Sequence, residues 1–211
     1  MHSFLEVIDF SLTTPRPLIW RSGSVERVSV YVRVKMPIVL REATYDDIPA
    51  IARVHVDAWK TTYRGIFSDE ILNNTTYQKR ENGWRKIFSG ALENDQFTYV
   101  FENQSGQMIG FANGGLERDG NSVYQGELYA IYILEAYQGQ GIGRQLVQAI
   151  AHKLAQMNIH TMLVWVLEDN PACRFYEAIG GQRVNQKAIE RGGATLTEVA
   201  YGWTDTSRLY G

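Results

Sequence analysis

The stretch YQGQGIGRQL, residues 137 to 146, places glycines at 139, 141 and 143 directly before a run with helical periodicity. Glycine loses more backbone freedom on folding than any other residue, so this density points to a backbone that a ligand must approach. The first N–H groups of a helix have no intrahelical acceptors, and the helix dipole favours an anion beside them. With no Cβ in the way, a phosphate oxygen can reach those N–H groups, and a pyrophosphate fits the nest best. The alternative is a glycine-rich turn that holds no ligand. The loop lacks the Gly-Lys-Ser/Thr ending that sets a lysine on terminal phosphates and a hydroxyl on Mg²⁺, which argues against ATP bound in that manner. Its GxGxG pattern departs from GxGxxG and comes after several strand candidates instead of opening a βαβ unit. A dinucleotide fold is therefore the weaker alternative.

Around this loop the chain alternates between short strands and amphipathic helices. IVLREA, residues 38 to 43, predicts a strand, and the adjoining TYDDIPAIARVHVDAW predicts a helix. Thr44 and Asp47 are spaced as a capping pair, and Ile48, Ile51, Val54, His55 and Ala58 recur at helical spacing. Ser68 is placed to cap a short helix through DEIL, and residues 76–89 predict a third helix with Trp84, Ile87 and Phe88 on its inner stripe. The period then changes. Residues 96–102, 107–117 and 126–134 are strand candidates separated by Gly, Asn and Asp turns. Residues 143–158 predict a helix with Leu146, Ile150, Ala151 and Leu154 buried. TMLVWVLEDN is apolar on both faces, as a central strand covered by helices would be. PACRFYEAIGG, with proline in its first turn and glycines at its end, predicts a short helix, and GATLTEVAYGW at 193–203 returns to strand.

These elements predict an α+β domain over residues 36–211, with a central mixed sheet and helices on both faces. Residues 1–35 are read as an N-terminal extension. Its alternating VERVSVYVRVK, residues 25–35, fits either an added strand or a loosely attached arm. Removing it is expected to leave the fold and ligand binding intact.

The 211 residues suffice for one full core but hardly for two catalytic domains. With 21 Lys and Arg against 23 Asp and Glu, there is no global field to attract nucleic acid or an anionic membrane. Cys173 is the single cysteine, so no internal disulfide forms and a reducing compartment fits. The four histidines, at 2, 55, 152 and 160, lack HExxH or HxH spacing, and no metal is expected. Neither a secretion signal nor a membrane-spanning run is recognised, so the expected location is cytoplasmic.

Residues 38–203 resemble the GCN5-related N-acetyltransferase (GNAT) family. Its signature (Arg or Gln, two residues, Gly, one residue, Gly or Ala) stands here as QGQGIG, Gln138 to Gly143. IYILEAYQ is similar to the family's fourth strand. EDNPACRFYEAIGG is similar to the second motif, with Asn170 and Tyr176 at the corresponding places. The resemblance implies a mixed, mainly antiparallel sheet splayed between its fourth and fifth strands, and an acetyl-CoA site in the splay. Backbone groups of Ile131, Tyr132 and Ile133, on a bulged strand, would meet the pantetheine and thioester. Gln138, Gly139, Gln140, Gly141, Ile142, Gly143 and Arg144 would hold the pyrophosphate, and Asn170 would touch the pantetheine arm.

Transfer from a thioester to an amine requires loss of the amine proton, donors for the carbonyl oxygen, and a proton for the departing thiolate. A backbone N–H near Ile133 can serve the second need. Tyr176 is placed for the third, although a packed aromatic beneath the helix is the alternative. Glu127, heading the fourth strand, corresponds to a carboxylate that accepts the amine proton in relatives, often through water; a solvated strand-end glutamate is the alternative. Glu168 and Asp169 are substitutes. Cys173 has no evident histidine partner and reads as a buried small residue. HVDAWKTTYRGIFSDEIL, residues 55–72, resembles the loop that walls the acceptor cleft, and Phe67 and Trp84 read as core.

The expected function is acetyl-CoA-dependent N-acetyl transfer to a primary amine, on a small molecule or a protein, by direct attack in a ternary complex. A catalytically silent acetyl-CoA-binding module and an NAD-dependent oxidoreductase are the alternatives. A homodimer is a further expectation of the resemblance, with the tail TEVAYGW as its interface.

Overall fold

The computed structural model describes residues 38–90, 96–191 and 193–210. The expectation for residues 1–35 lies outside the described residues. Strand β1 (Val39–Glu42) leads into a helical hairpin of α1 (Ile48–Thr62), α2 (Asp69–Asn74) and α3 (Tyr77–Phe88). Strands β2 (Phe97–Glu102), β3 (Met108–Leu116) and β4 (Gly126–Ile133) form a meander. Then come α4 (Ile142–Gln156), β5 (Met162–Leu167), α5 (Ala172–Ala178), β6 (Gln182–Arg191) and β7 (Ala194–Trp203).

One seven-stranded sheet runs in the order β1-β2-β3-β4-β5-β7-β6. All neighbouring pairs are antiparallel except β4 with β5. The α+β prediction holds. Alternation along the inner strands sorts side chains to two cores. Phe101, Ile109, Ala112 and Val164 pack with Leu146, Ile150 and Leu154 of α4 on one face. Val100, Met108 and Phe111 pack with Ile48, Ile51 and Val54 of α1 and Trp84 of α3 on the other. This two-sided burial is why β5 reads as an unbroken apolar run.

Local signals fix the entry to α1. Asp47 accepts from the Thr44 backbone N–H at 2.7 Å and pairs with Arg41 at 2.7 Å. The Arg41 guanidinium holds the Asp47 carboxyl at about 2. Ser68 Oγ accepts from the Ile71 N–H at 3.5 Å at the start of α2.

One strand carries no signal in the sequence, and one expectation is corrected. β6 is absent from the strands that periodicity predicts; it carries polar residues that are exposed along nearly its whole length, so it shows no buried alternation. The tail TEVAYGW is no free interface. It lies in β7, hydrogen-bonded to β5 on one side and β6 on the other, with Val199 to Trp203 buried in the protein's own core. The sheet edge on that side belongs to β6.

Candidate active site

β4 and β5 pair only at their starts, where Gly126 lies beside Met162 and Glu127 beside Leu163. From there β4 stays with β3 as far as Ile133 opposite Gly110, while β5 stays with β7 as far as Leu167 opposite Glu198. The strands therefore part, leaving main-chain groups that face a cleft of about 680 Å³. Cavities of this size hold small-molecule ligands and cofactors. The β3–β4 register shifts so that Asn113 pairs with Ala130 and Gly114 with Leu128, making Tyr129 the extra residue of a bulge. Ile131, Tyr132 and Ile133 come after the bulge and line the cleft.

The glycine loop closes one end. Gly139 and Gly141 have φ of 72° and 81°, in the left-handed region, and a Cβ at either would meet nothing within 4 Å. They are needed for backbone conformation, with open space in front of them. Gly143 has a different task. A Cβ there would lie 3.1 Å from Phe175 Cζ, so its absence lets α4 close against α5. Gln145 N–H donates to Gly141 C=O at 3.2 Å, which leaves the N–H groups of Ile142, Gly143 and Arg144 without acceptors inside α4. Gln138, Gly139, Gly141, Gly143 and Arg144 line the cleft, facing Asn170 and Tyr176 across it. Gln140 and Ile142 do not. Gln140 Nε2 donates back to the Ala136 carbonyl at 3.2 Å, and the Ile142 side chain belongs to the core. An anion at these N–H groups fits the loop as it stands.

On the opposite wall Asn170 Oδ1 accepts from the Ala172 N–H at 2.9 Å and so fixes the start of α5. Further along α5, Tyr176 is buried and its phenol is pushed above the usual tyrosine range by burial and by the neighbouring Tyr63. The Tyr63 hydroxyl in turn lies beside the side chains of Asn170 and Tyr132. Three phenols, from the end of α1, β4 and α5, thus converge on the cleft, a grouping that nothing in their separate sequence contexts signals.

Glu127 is only 2% exposed and is not among the residues lining the cleft. Both its oxygens face Arg118, with Arg118 Nε donating to Oε2 at 3.0 Å and Nη2 donating to Oε1. Glu168 is ion-paired with Arg183 at 2.8 Å and Asp169 is exposed. The Cys173 thiol points at the Leu167 and Glu168 carbonyls, and burial pushes it above its ordinary value, as suits a packed thiol and not a nucleophile. Among the described residues, no three His, Cys, Asp or Glu side chains form a metal-holding group, and no helix is long and apolar enough to cross a membrane.

Behind the cleft, His55 supports Tyr132 by stacking at 4.5 Å, and its Nδ1 accepts from Trp84 Nε1–H at 3.3 Å. Burial, aided by Arg80, drops His55 from 6.5 to about 3, so the folded protein keeps it neutral. The unfolded chain binds that proton below about pH 6.5 and the folded chain does not, so stability falls as the pH drops from 6.5 towards 3. The expected slope from this group is about 1.4 kcal/mol per pH unit. Denaturant titrations at successive pH values should show it for the wild type and a shallower dependence for His55→Gln; equal slopes would refute it.

The comparisons with known proteins agree with this architecture. The FR47-like protein family matches residues 120–189, which include the glycine loop and α5. The uncharacterized N-acetyltransferase YuaI of Bacillus subtilis (strain 168) is 41% identical over 172 residues, spanning 82% of this chain and 96% of the relative. The chain belongs to the GCN5-related N-acetyltransferase family. Solved structures share the GNAT fold. PaiA N-acetyltransferase from Thermoplasma acidophilum, in complex with coenzyme A, superposes with a TM-score of 0.61 at 21% identity over 77% of this chain and 98% of that one. An N-acetyltransferase from Staphylococcus aureus Mu50 gives 0.60 at 20% identity, over 79% and 98%. The GNAT assignment replaces the nicotinamide alternative. β4 enters its glycine loop from an antiparallel meander, not from the βαβ unit of a dinucleotide fold.

Proposed function

We propose that the protein moves an acetyl group from acetyl-CoA to a primary amine by direct attack in a ternary complex. The observation that carries this reading is the parting of β4 from β5 into a cleft that ends on the unpaired N–H groups of α4. In this reading the main chain of Ile131 to Ile133 runs beside the pantetheine arm, and a backbone N–H there supports the carbonyl oxygen as it gains charge. The loop from Gln138 to Arg144 holds the pyrophosphate through the free N–H groups of Ile142, Gly143 and Arg144, since the Gln138 N–H already donates to the Glu135 carbonyl at 3.1 Å, and Asn170 touches the arm. The relative crystallised with coenzyme A supports the choice of donor.

The amine nitrogen forms its bond to the carbonyl carbon, the carbon–sulfur bond breaks, and Tyr176 gives its proton to sulfur before regaining one from solvent. The amine proton leaves to water. Glu127 is assigned to holding Arg118 and not to accepting this proton, since both of its oxygens are already engaged. Of the side chains lining the cleft, Glu135 alone is acidic, and it lies next to the glycine loop.

Initial velocities measured over a grid of acetyl-CoA and amine concentrations test the ternary complex. Double-reciprocal lines that intersect are expected; parallel lines would indicate an acetyl-enzyme and overturn direct attack.

A further inference from the structure

Trp59, on the last turns of α1, is 5% exposed and packs its ring on Tyr63 at 4.3 Å and Phe67 at 5.4 Å. Two guanidinium groups lie over the same ring: Arg80 of α3, with its Cζ 5.7 Å from the ring centre, and Arg191 at the end of β6, at 5.6 Å. Among the described residues neither guanidinium makes a hydrogen bond or an ion pair. Arg41 and Arg118, by contrast, each sit against a carboxylate. The indole N–H of Trp59 is also buried with no hydrogen-bond partner. Among the described residues, donors and positive charge are therefore gathered at one locus with no hydrogen-bonded acceptor.

Arg80 is half-buried while Arg191 is exposed, so water serves this arrangement only in part. A guanidinium carries five N–H donors that must find acceptors or water, and two like charges on one ring repel. Burial, together with Arg191, holds Arg80 below its ordinary value. Attraction to the indole face offsets only part of this. Glu198, a carboxylate that acts on Tyr63, lies 3.8 Å from Lys187. An anion between the two arginines would satisfy the donors and relieve the repulsion.

The locus adjoins the cleft. Arg80 and Arg191 both act on Tyr132, and Arg191 on Tyr63, and these two tyrosines line the cleft. We infer that Arg80, Arg191 and Trp59 form a carboxylate-binding subsite for the acceptor, so that the amine acetylated is a small amino carboxylate. The inference rests on the transfer reading and names its substrate class. A planar carboxylate matches the planar guanidinium fork in a two-bond geometry. A polyamine would bring a second positive charge to the same place and be repelled.

The test uses the full chain with saturating acetyl-CoA and a series of ω-amino carboxylates from glycine to aminocaproate. Each is compared with the alkylamine and the diamine of matching length, and aminoethyl phosphate is the alternative anion. The expected result is a kcat/KM for the best amino carboxylate at least about tenfold above its alkylamine, with the diamine poorest and the phosphate below the carboxylate. Arg80→Gln and Arg191→Gln should each shrink the carboxylate-to-alkylamine ratio, mainly through KM, while acetyl-CoA affinity reports that the chain is folded. A preference for diamines or for aminoethyl phosphate, or a ratio unchanged in both variants, overturns the subsite and leaves the transfer reading standing. A second readout needs no turnover: saturation-transfer NMR of glutarate with the wild type and the Arg80→Gln, Arg191→Gln double variant. Binding that the double variant loses supports the subsite even where no amine is acetylated, an outcome that would sink the transfer reading alone. Glutarate that does not bind, or binds both proteins equally, overturns it.

Discussion

Tyr176→Phe should lower kcat by about 10²-fold while leaving the acetyl-CoA dissociation constant near its wild-type value. The substitution keeps the ring that packs on Phe175 and Tyr201 at 5.4 and 5.9 Å and removes only the hydroxyl. General acid catalysis spans roughly 10²–10⁴-fold, and two features set the expectation at the low end. A thiolate is a tolerable leaving group without full protonation. Burial also pushes the phenol up, further from the value that would match a thiol, which weakens proton transfer while keeping the proton in place at neutral pH. Any falling limb in the rate from loss of this proton should therefore lie above pH 10. A wild-type kcat in the variant would make Tyr176 a packing residue. A collapse of cofactor affinity with no separate rate effect would reassign it to binding.

Gly141→Val should weaken acetyl-CoA binding by at least tenfold, or about 1.4 kcal/mol. The valine brings two effects. Its side chain enters the open space before the N–H groups of α4, and its backbone is forced to a φ of 81° that β-branched residues avoid. The second effect costs on the order of 1–3 kcal/mol of stability wherever it occurs, so a matched control is needed. Gly120, in the turn between β3 and β4, has a φ of 73° and equally open surroundings, yet it does not line the cleft. Gly120→Val should lose comparable stability and keep full affinity. Calorimetry that finds unchanged acetyl-CoA affinity in folded Gly141→Val would remove the pyrophosphate from this loop.

Most of the elements are legible in the sequence because their residues are half-buried at regular periods. The stripe Leu146, Ile150, Leu154 of α4 and the two-faced apolar run of β5 reflect directly what they pack against. β6 is not legible, for the same reason reversed. An edge strand with both faces in solvent has nothing to impose a pattern on, and QRVNQKAIER carries no buried alternation that marks it as a strand. That gap hides Arg191, which sits at the end of β6, and with it the pairing of two arginines on Trp59.

The glycine loop is legible as a helix entrance, but its glycines divide into two kinds that spacing cannot separate. Gly139 and Gly141 serve the backbone angle, while Gly143 serves a contact with Phe175 from an element that begins 29 residues later, at Ala172. Glu127 shows the other limit. A carboxylate at a strand start reads alike whether it faces a substrate or an arginine, and Arg118 approaches it across a turn whose course only the fold defines.

The central claim, that this cleft transfers acetyl groups to amines without a covalent enzyme intermediate, is tested most directly by stoichiometry. The protein is incubated with acetyl-CoA alone, and free thiol and intact protein mass are tracked; the amine series is then added. The account predicts neither thiol release nor acetylated protein before the amine, and afterwards one thiol released for each N-acetyl product formed. Thiol release with acetylated protein before any amine is added, or no product with any amine while acetyl-CoA stays bound, would contradict it.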